Sequence, residues 1–279
     1  MKTQTSTFAR TAILLLLSLC SLAASSHAAA KPLNYPYGLA VDAKGNLYVA
    51  NSNSNQVLIY NPAHAQQTAK TITNKVAGPS GLAFDAFGTL WVANQTTNVI
   101  NAYSSAGALL PADSITNSIN SPQFITFDGI GNLWVNNGFT SLAAYPVFSG
   151  TPILSQTSST PITGLASWNM FLSVGENNSS ARLELGQYLT NNGGFAGAFP
   201  QTCYAMAYDK LGNLYCGNQD RTLTVMSLSG TVKTITNLGF FPTGLALDTA
   251  HSLAYVANGP GNTIAVYNTT TGTLVTTIH

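Results

Sequence analysis

A short phrase recurs along the chain, and it constrains the fold more than any other feature. It reads GLAVDAKGNLYVAN at residues 38–51 and GLAFDAFGTLWVAN at residues 81–94. A catalytic motif occurs once, whereas a phrase that returns at a fixed period predicts a repeat architecture. Five clear copies align on one aspartate, with spacings of 43, 43, 81 and 39 residues between Asp42, Asp85, Asp128, Asp209 and Asp248.

The spacing of 81 residues leaves room for one degenerate copy. The segment PITGLASWNMFLSVGENNSSARLEL at residues 161–185 fits there, with Trp168 in the position of the aspartate. Six units of about 41 residues would then fill residues 31–279. The sequence therefore predicts one domain built from six similar units.

Each unit is predicted to consist of β-strands. GLAVD and LYVAN flank DAKGN, a turn in which Asp42 can accept from the N–H groups two and three residues on and Gly45 can take a positive φ. QVLIYN supplies a third strand. A recurring ITN motif marks a fourth strand, at residues 71–74, 114–117 and 234–237. A four-stranded antiparallel meander repeated six times without helices predicts an all-β, six-bladed β-propeller, and a β-sandwich or a solenoid explains the equal units less simply.

The phrases LYVANSNSNQVLIYN and LAYVANGPGNTIAVYNTTTGTLVTTI resemble the YVTN and NHL families of β-propeller repeats. The resemblance extends over residues 31–279 and is poor only in the fourth unit. It implies a six-bladed propeller but little about chemistry, because such repeats occur in surface-layer modules, binding domains and a few enzymes. The blades are expected at about residues 35–77, 78–120, 121–160, 161–201, 202–240 and 241–279.

Residues 1–30 have the pattern of a secretory signal peptide. A basic start, MKTQTSTFAR, precedes the apolar TAILLLLSLCSLAA and the small residues of SSHAAA. An uncleaved anchor is the alternative. We therefore expect an exported protein, periplasmic or extracellular, and no later apolar run is long enough to span a bilayer. Charged residues are only 7% of the chain and no basic cluster occurs, which argues against nucleic acid as a partner.

Two cysteines, Cys203 and Cys216, flank one predicted hairpin. An oxidising compartment would permit a disulfide between them. Counting back from the turn, however, places Cys216 opposite Ala205 or Met206 rather than opposite Cys203. The sequence leaves a disulfide and two buried thiols as open alternatives.

The repeated polar residues are interpreted as structural. A ring of aspartates could suggest a metal site, but one capping aspartate per turn explains the repetition better. Asparagines that end the second strand are interpreted as caps in the same way: Asn51, Asn94, Asn137, Asn218 and Asn258, with Asn177 as the sixth.

The candidate ligand site lies among the residues that do not repeat. The loops between second and third strands reach the face where the central channel opens, and only those of units four and five carry charge, from Glu176, Arg182, Asp220 and Arg221. Aromatic residues of the connections between units would form the walls: Tyr37, Phe124, Tyr204 and Phe241. Arginine, acids and aromatic rings together predict a site for a protein, peptide or glycan. The alternative is exposed ion pairs and packing between blades.

Enzyme functions are less well supported by the sequence. His64, His251 and His279 are not expected at the channel mouth, which argues against zinc and against a Ser–His–Asp triad. A Ca²⁺-dependent hydrolase resembling the gluconolactonases could use Glu176 and asparagine oxygens, although the full acidic set of that family is not found. We predict a non-catalytic binding or scaffold module without a cofactor. The alternatives are the lactonase-like hydrolase and a purely structural cell-surface module.

Overall fold

The structure is a computed structural model that describes residues 31–146, 149–169, 171–176 and 202–279, together with the backbone of strands 179–184 and 195–199. Almost all regular structure in these residues is β-strand. Two short 3₁₀ turns, Ser52–Ser54 and Thr68–Lys70, are the exceptions within the described chain. No helix among the described residues is long and apolar enough to cross a bilayer.

The strands form six antiparallel sheets, each made of strands consecutive in the chain. Sheet 1 contains β1 (Pro36–Val41), β2 (Leu47–Asn51) and β3 (Gln56–Tyr60). Sheet 2 contains β4 (Pro79–Phe84), β5 (Leu90–Asn94), β6 (Val99–Tyr103) and β7 (Leu109–Ile115). Sheet 3 contains β8 (Pro122–Phe127), β9 (Leu133–Asn137), β10 (Ser141–Tyr145) and β11 (Leu154–Thr157). Sheet 4 contains β12 (Ile162–Trp168), β13 (Phe171–Glu176), β14 (Ser179–Glu184) and β15 (Phe195–Phe199). Sheet 5 contains β16 (Cys203–Tyr208), β17 (Leu214–Asn218), β18 (Thr222–Met226) and β19 (Val232–Asn237). Sheet 6 contains β20 (Gly244–Asp248), β21 (Leu253–Asn258), β22 (Thr263–Asn268) and β23 (Leu274–Ile278).

The first strands of the six sheets close a ring. Each contacts the first strand of the next sheet, and β20 contacts β1. The approach is close because a glycine follows the entry of several first strands: an added Cβ on Gly38 would lie 2.0 Å from the carbonyl oxygen of Ser80, and one on Gly244 would lie 1.9 Å from that of Tyr37. The chain is therefore an all-β propeller of antiparallel blades, of which five are four-stranded.

The hydrophobic core lies between neighbouring sheets rather than in one central volume. Alternate residues of each strand point toward opposite neighbours. Leu39 packs with Tyr255 and Val266 of sheet 6, whereas the next residue, Ala40, packs with Leu82 of sheet 2. This explains why GLAVD is apolar on both faces.

The first repeat departs from the predicted pattern. The sequence predicted a fourth strand at residues 71–74, but only an isolated bridge between Val57 and Ile72 forms there. Pro62 and the 3₁₀ turn Thr68–Lys70 occupy the preceding stretch and interrupt the ladder. The ITN motifs of sheets 2 and 5 do lie within or at the end of β7 and β19.

The repeated aspartates are turn caps. Asp42 Oδ1 accepts the backbone N–H groups of Lys44 at 2.9 Å and Asn46 at 2.8 Å, two and four residues on rather than two and three. Asp85, Asp128 and Asp209 repeat this geometry. Asp248 instead accepts from residues two and three positions on. These turns all lie on one side of the ring, which we call the turn face, and the opposite side is the loop face.

Cys203 and Cys216 form a disulfide, with their Cα atoms 5.3 Å apart. The predicted register is correct, since Cys216 pairs with Met206. A β-bulge between Cys203 and Ala205 shifts the strand so that Cys203 also reaches Cys216. The bridge ties the entry of sheet 5 to its second strand.

Hydroxyl groups join neighbouring sheets at the entry of the first strands. Ser80 Oγ donates to the carbonyl oxygen of Pro122 at 2.7 Å, and Thr163 Oγ1 donates to that of Cys203 at 2.7 Å. Thr243 Oγ1 donates to the carbonyl oxygen of Pro36 at 2.9 Å and so links the last sheet to the first. Hydrogen bonds therefore complement packing in closing the ring.

Candidate functional site

The six first strands surround a central channel. Its cavity of about 340 Å³ is lined by residues from every sheet. Each first strand carries a small side chain two residues before the repeated aspartate, or before Trp168 in sheet 4. These residues are Ala40, Ala83, Thr126, Ala166, Ala207 and Ala246. The described lining contains no histidine, aspartate or glutamate. Within the described residues no group of three or more His, Cys, Asp or Glu side chains could hold a metal ion.

Two predicted wall residues meet at the loop-face end of the channel. The rings of Tyr37 and Phe124 lie 5.8 Å apart, tilted by 32°. They come from sheets 1 and 3, and sheet 2 between them carries only Ser80 and Gly81 at the corresponding positions. Burial, with a smaller contribution from Tyr35, raises the pKa of Tyr37 well above its usual value, so its hydroxyl stays protonated.

Tyr204 stands in sheet 5 where Tyr37 stands in sheet 1. Each follows the first residue of its strand and lies in the β-bulge there. Tyr204 is half-buried. The structure thus places a third aromatic residue at the same position of a first strand.

Glu176 ends the second strand of sheet 4, whereas asparagine ends the second strand in the five other sheets. It pairs with Ile162, as Asn51 pairs with Pro36 and Asn137 with Pro122. The prediction that Asn177 fills this position was therefore wrong in register, and Asn177 itself lies outside the described residues.

The carboxylate of Glu176 takes over the structural task of the asparagines. Asn51 Oδ1 accepts the N–H of Asn34 at 2.6 Å and thereby holds the segment that enters its sheet. Glu176 Oε1 accepts the hydroxyl of Ser158, in the segment entering sheet 4, at 2.5 Å. A half-buried carboxylate thus replaces a neutral amide at the loop face.

The two charged residues of the sheet 5 loop, Asp220 and Arg221, contact different partners. Asp220 Oδ1 accepts the N–H of Thr222 at 3.1 Å and its hydroxyl at 2.6 Å, so Asp220 caps the loop. Arg221 turns the other way, and its guanidinium carbon lies 4.5 Å above the ring centre of Phe241 in the connection to sheet 6. Phe241 remains 47% exposed. The structure therefore joins Arg221 to Phe241, a cation–π contact.

Arg221 immediately precedes the third strand of sheet 5, and the sequence analysis did not recognise that this position has a recurring structural role. The residue before the third strand is left-handed in several sheets, with φ of 53° at Asn55, 56° at Asn98, 53° at Asn262 and 66° at Arg221. The three asparagines accept the N–H of Gly78, Ser121 and Tyr35 in the next sheet. An asparagine just before a strand, where a left-handed residue is favoured, was the available signal. The side chain of Arg182 lies outside the described residues.

Comparisons with known proteins find other proteins of the same fold. The NHL repeat model matches residues 33–60. Curated protein sequences give no significant match. Among solved structures, a gluconolactonase from Xanthomonas campestris is 16% identical, covers 82% of this chain and 84% of its own, and has a TM-score of 0.64. A virginiamycin B lyase from Staphylococcus aureus is 14% identical over 85% of this chain and 82% of its own, with a TM-score of 0.59.

A streptogramin B lyase is also similar, at 13% identity over 83% of this chain and 93% of its own, with a TM-score of 0.58. Identities this low show a shared fold and leave chemistry to the residues of each site. The repeat match and the ring of antiparallel sheets agree. The chain is a β-propeller that matches the NHL repeat model at residues 33–60.

Proposed function

We propose that this protein is an exported, non-catalytic binding propeller whose ligand, a protein, peptide or glycan, docks at the loop-face mouth of the channel. In this proposal residues 1–30 are the signal peptide, and sheet 1 with its isolated bridges counts as the sixth blade. The observation that carries the proposal is the arrangement at this mouth: the Tyr37–Phe124 pair lies at the channel end, and a carboxylate and a guanidinium–aromatic pair come from neighbouring sheets.

The chemistry of these groups indicates recognition. Aromatic faces bind sugar rings and peptide side chains, and a guanidinium held over a ring retains its N–H donors for a ligand acceptor. Glu176 Oε1 accepts from Ser158, and the other oxygen supplies an acceptor for a ligand donor. The proposed contact residues are Glu176, Arg182, Asp220, Arg221, Tyr37, Phe124, Tyr204 and Phe241.

The experiment is a glycan and peptide array probed with the exported protein, followed by calorimetry on any hit. Arg221→Met removes the charge and keeps the length of the side chain, and Glu176→Gln removes the other charge. We expect each to weaken binding about tenfold, the size of one charge-assisted hydrogen bond. Lys70→Met, an exposed change elsewhere, is the matched control. A hit that binds all variants equally would contradict the proposed site.

A second candidate is a Ca²⁺-dependent lactonase-like hydrolase, favoured by the similarity to a gluconolactonase and by the carboxylate of Glu176. It ranks second because the asparagine oxygens it would use are occupied: Asn94 Oδ1 accepts the N–H of Ala77 at 2.8 Å, and Asn137 Oδ1 accepts that of Asn120 at 2.5 Å. A rise in melting temperature with Ca²⁺ over EDTA, together with lactone hydrolysis lost in Glu176→Gln, would reverse this order. A structural surface module would show neither binding nor hydrolysis.

A further inference from the structure

The turn face, opposite the proposed binding site, carries a groove over sheet 6. It consists of two adjoining cavities, of about 290 Å³ and about 380 Å³. Both are lined by Lys210, Leu247, Asp248 and Thr249, so they communicate over the first turn of sheet 6. We call the cavity toward sheet 5 the tail cavity and the one toward sheet 1 the head cavity.

The tail cavity is mainly apolar. Leu211, Tyr215, Leu247 and Leu253 line it, together with hydroxyl groups of the sheet 6 turns and the charged residues Asp209, Lys210 and Asp248. Its volume is near the lower end of the range of about 300 to 1,000 Å³ that is usual for small-molecule sites. Leu211 is 74% exposed, as are Phe87 at 81% and Ile130 at 58% at the same turn position of sheets 2 and 3, so its side chain is free to contact a ligand tail.

A difference between the repeats explains why this seam is open. At the position of Tyr215, sheet 2 carries Trp91, which is 1% exposed and whose indole N–H donates to Asp85 Oδ2 at 3.1 Å. Trp91 packs edge-on against Phe127 of the next sheet, with ring centres 5.8 Å apart. Tyr48 of sheet 1, at the same position, packs edge-on against Phe84 of sheet 2, so a tyrosine alone does not open a seam. Tyr215 lies beside Leu247, which stands where sheets 2 and 3 carry Phe84 and Phe127, and the tail cavity remains there.

The head cavity is flanked by two lysines from different sheets. Lys44 is on the first turn of sheet 1 and Lys210 on the first turn of sheet 5, and both are exposed. Neither forms a salt bridge within the described part of the chain. Two unpaired ammonium groups on opposite sides of one cavity are suited to an anionic group between them.

Three aspartates line the same groove, and each is already engaged. Asp42 and Asp209 each accept two backbone N–H groups and the side-chain amide of an asparagine. Asp248 is 4% exposed, accepts two backbone N–H groups and lies 2.7 Å from Nδ1 of His251. These carboxylates lie at the base of the turns, whereas the lysines stand at the tips.

We propose that this groove binds an amphiphilic monocarboxylate. The carboxylate lies in the head cavity between Lys44 and Lys210, and the aliphatic or aromatic tail lies against Leu211, Tyr215 and Leu253. The site is separate from the loop-face site, so it stands or falls independently of the function proposed above.

The test compares three probes with one tail and different head groups: octanoate, octan-1-ol and octylamine, measured by calorimetry on the exported protein. We expect octanoate to bind at least tenfold more tightly than octylamine. Lys44→Gln and Lys210→Gln should each weaken octanoate about tenfold, the size of one charge-assisted hydrogen bond, and leave octan-1-ol unchanged. Lys233→Gln, an exposed lysine of the outer strand β19, is the matched control.

Leu253→Ala should weaken octanoate and octan-1-ol alike, because both tails lose the same contact. Three results would overturn the proposal: octylamine binding as tightly as octanoate, octanoate binding that both lysine variants retain, or no binding of any probe at millimolar concentration. The first would mean that the aspartates dominate the groove.

Discussion

The hydroxyl of Thr243 should contribute measurably to the closure between sheet 6 and sheet 1. Its Oγ1 donates to the carbonyl oxygen of Pro36 at 2.9 Å, with that of Ala257 at 3.2 Å as a second acceptor. The same oxygen accepts the N–H of Gly259 at 3.1 Å. Thr243→Val keeps the shape of the side chain and removes both the donor and the acceptor.

The expected loss of stability follows from the two hydrogen bonds of the Thr243 hydroxyl, one donated and one accepted. A neutral hydrogen bond contributes about 1 kcal/mol, and the groups left behind are only partly accessible to water, so the free energy of unfolding should fall by about 2 kcal/mol. For a domain of this size each kcal/mol shifts the melting temperature by about 2 to 4 °C, so a fall of roughly 4 to 8 °C is expected. Thermal unfolding followed by circular dichroism measures it.

Two comparisons make the result interpretable. Thr163→Val removes the corresponding hydroxyl between sheets 4 and 5, which makes one bond of 2.7 Å, and should cost about half as much. Thr270→Val changes an exposed threonine and should stay within about 0.5 kcal/mol of the parent. A melting temperature for Thr243→Val equal to that of Thr270→Val would refute the argument that this hydroxyl stabilises the closure.

Three further changes test other parts of the fold. Replacing Cys203 and Cys216 together by alanine opens a loop of about 15 residues and should cost about 3 kcal/mol, after which a reductant should have no further effect on the melting temperature. Burial lowers the pKa of His64 below its usual value of about 6.5, so the unfolded chain takes up the proton first. The contribution of His64 to stability should therefore be full above about pH 6.5 and decline below it. His64→Asn, which suits the left-handed backbone at this position, should reduce the dependence of the melting temperature on pH between pH 7 and 5. An unchanged pH dependence would contradict the assignment of this effect to His64. Gly244→Ala places a Cβ 1.9 Å from a backbone oxygen of β1 and should cost about 3 kcal/mol or more, whereas Gly150→Ala, with nothing within 4 Å, should be neutral in the same urea titration.

Most of the fold could be predicted from the repeat, because the repeated residues meet local needs of the backbone. An aspartate three residues before a turn glycine can accept from two backbone N–H groups wherever it occurs, and the structure confirms this cap for Asp42 and its counterparts. The irregular backbone at the entry of the first strands could not be predicted in this way. The register shifts there in sheets 1 to 5, and the shift beside Cys203 allows the disulfide, but no distinctive residue marks it in the sequence.

The site was less accessible to sequence reasoning, because its contacts join distant segments. Tyr37 and Phe124 were both predicted at the channel mouth, but their contact depends on the small residues of the sheet between them. Arg221 was predicted to face a ligand together with Asp220. In the structure its backbone is left-handed and its guanidinium lies over Phe241, a contact that no local pattern specifies.

Some repeated residues are replaced in this chain, and these departures bear on the proposed site. In sheets 4 and 5 three repeated residues are replaced: Trp168 lies against Gly212 in place of a capping aspartate, Glu176 accepts from Ser158 in place of asparagine, and Arg221 packs on Phe241 in place of asparagine. A neutral amide would have served the fold equally at the last two positions, as it does elsewhere in the ring. The charges of Glu176 and Arg221 therefore exceed what folding requires. In a chain of which only 7% is charged, these two charges on adjacent sheets are the basis for the proposed loop-face site.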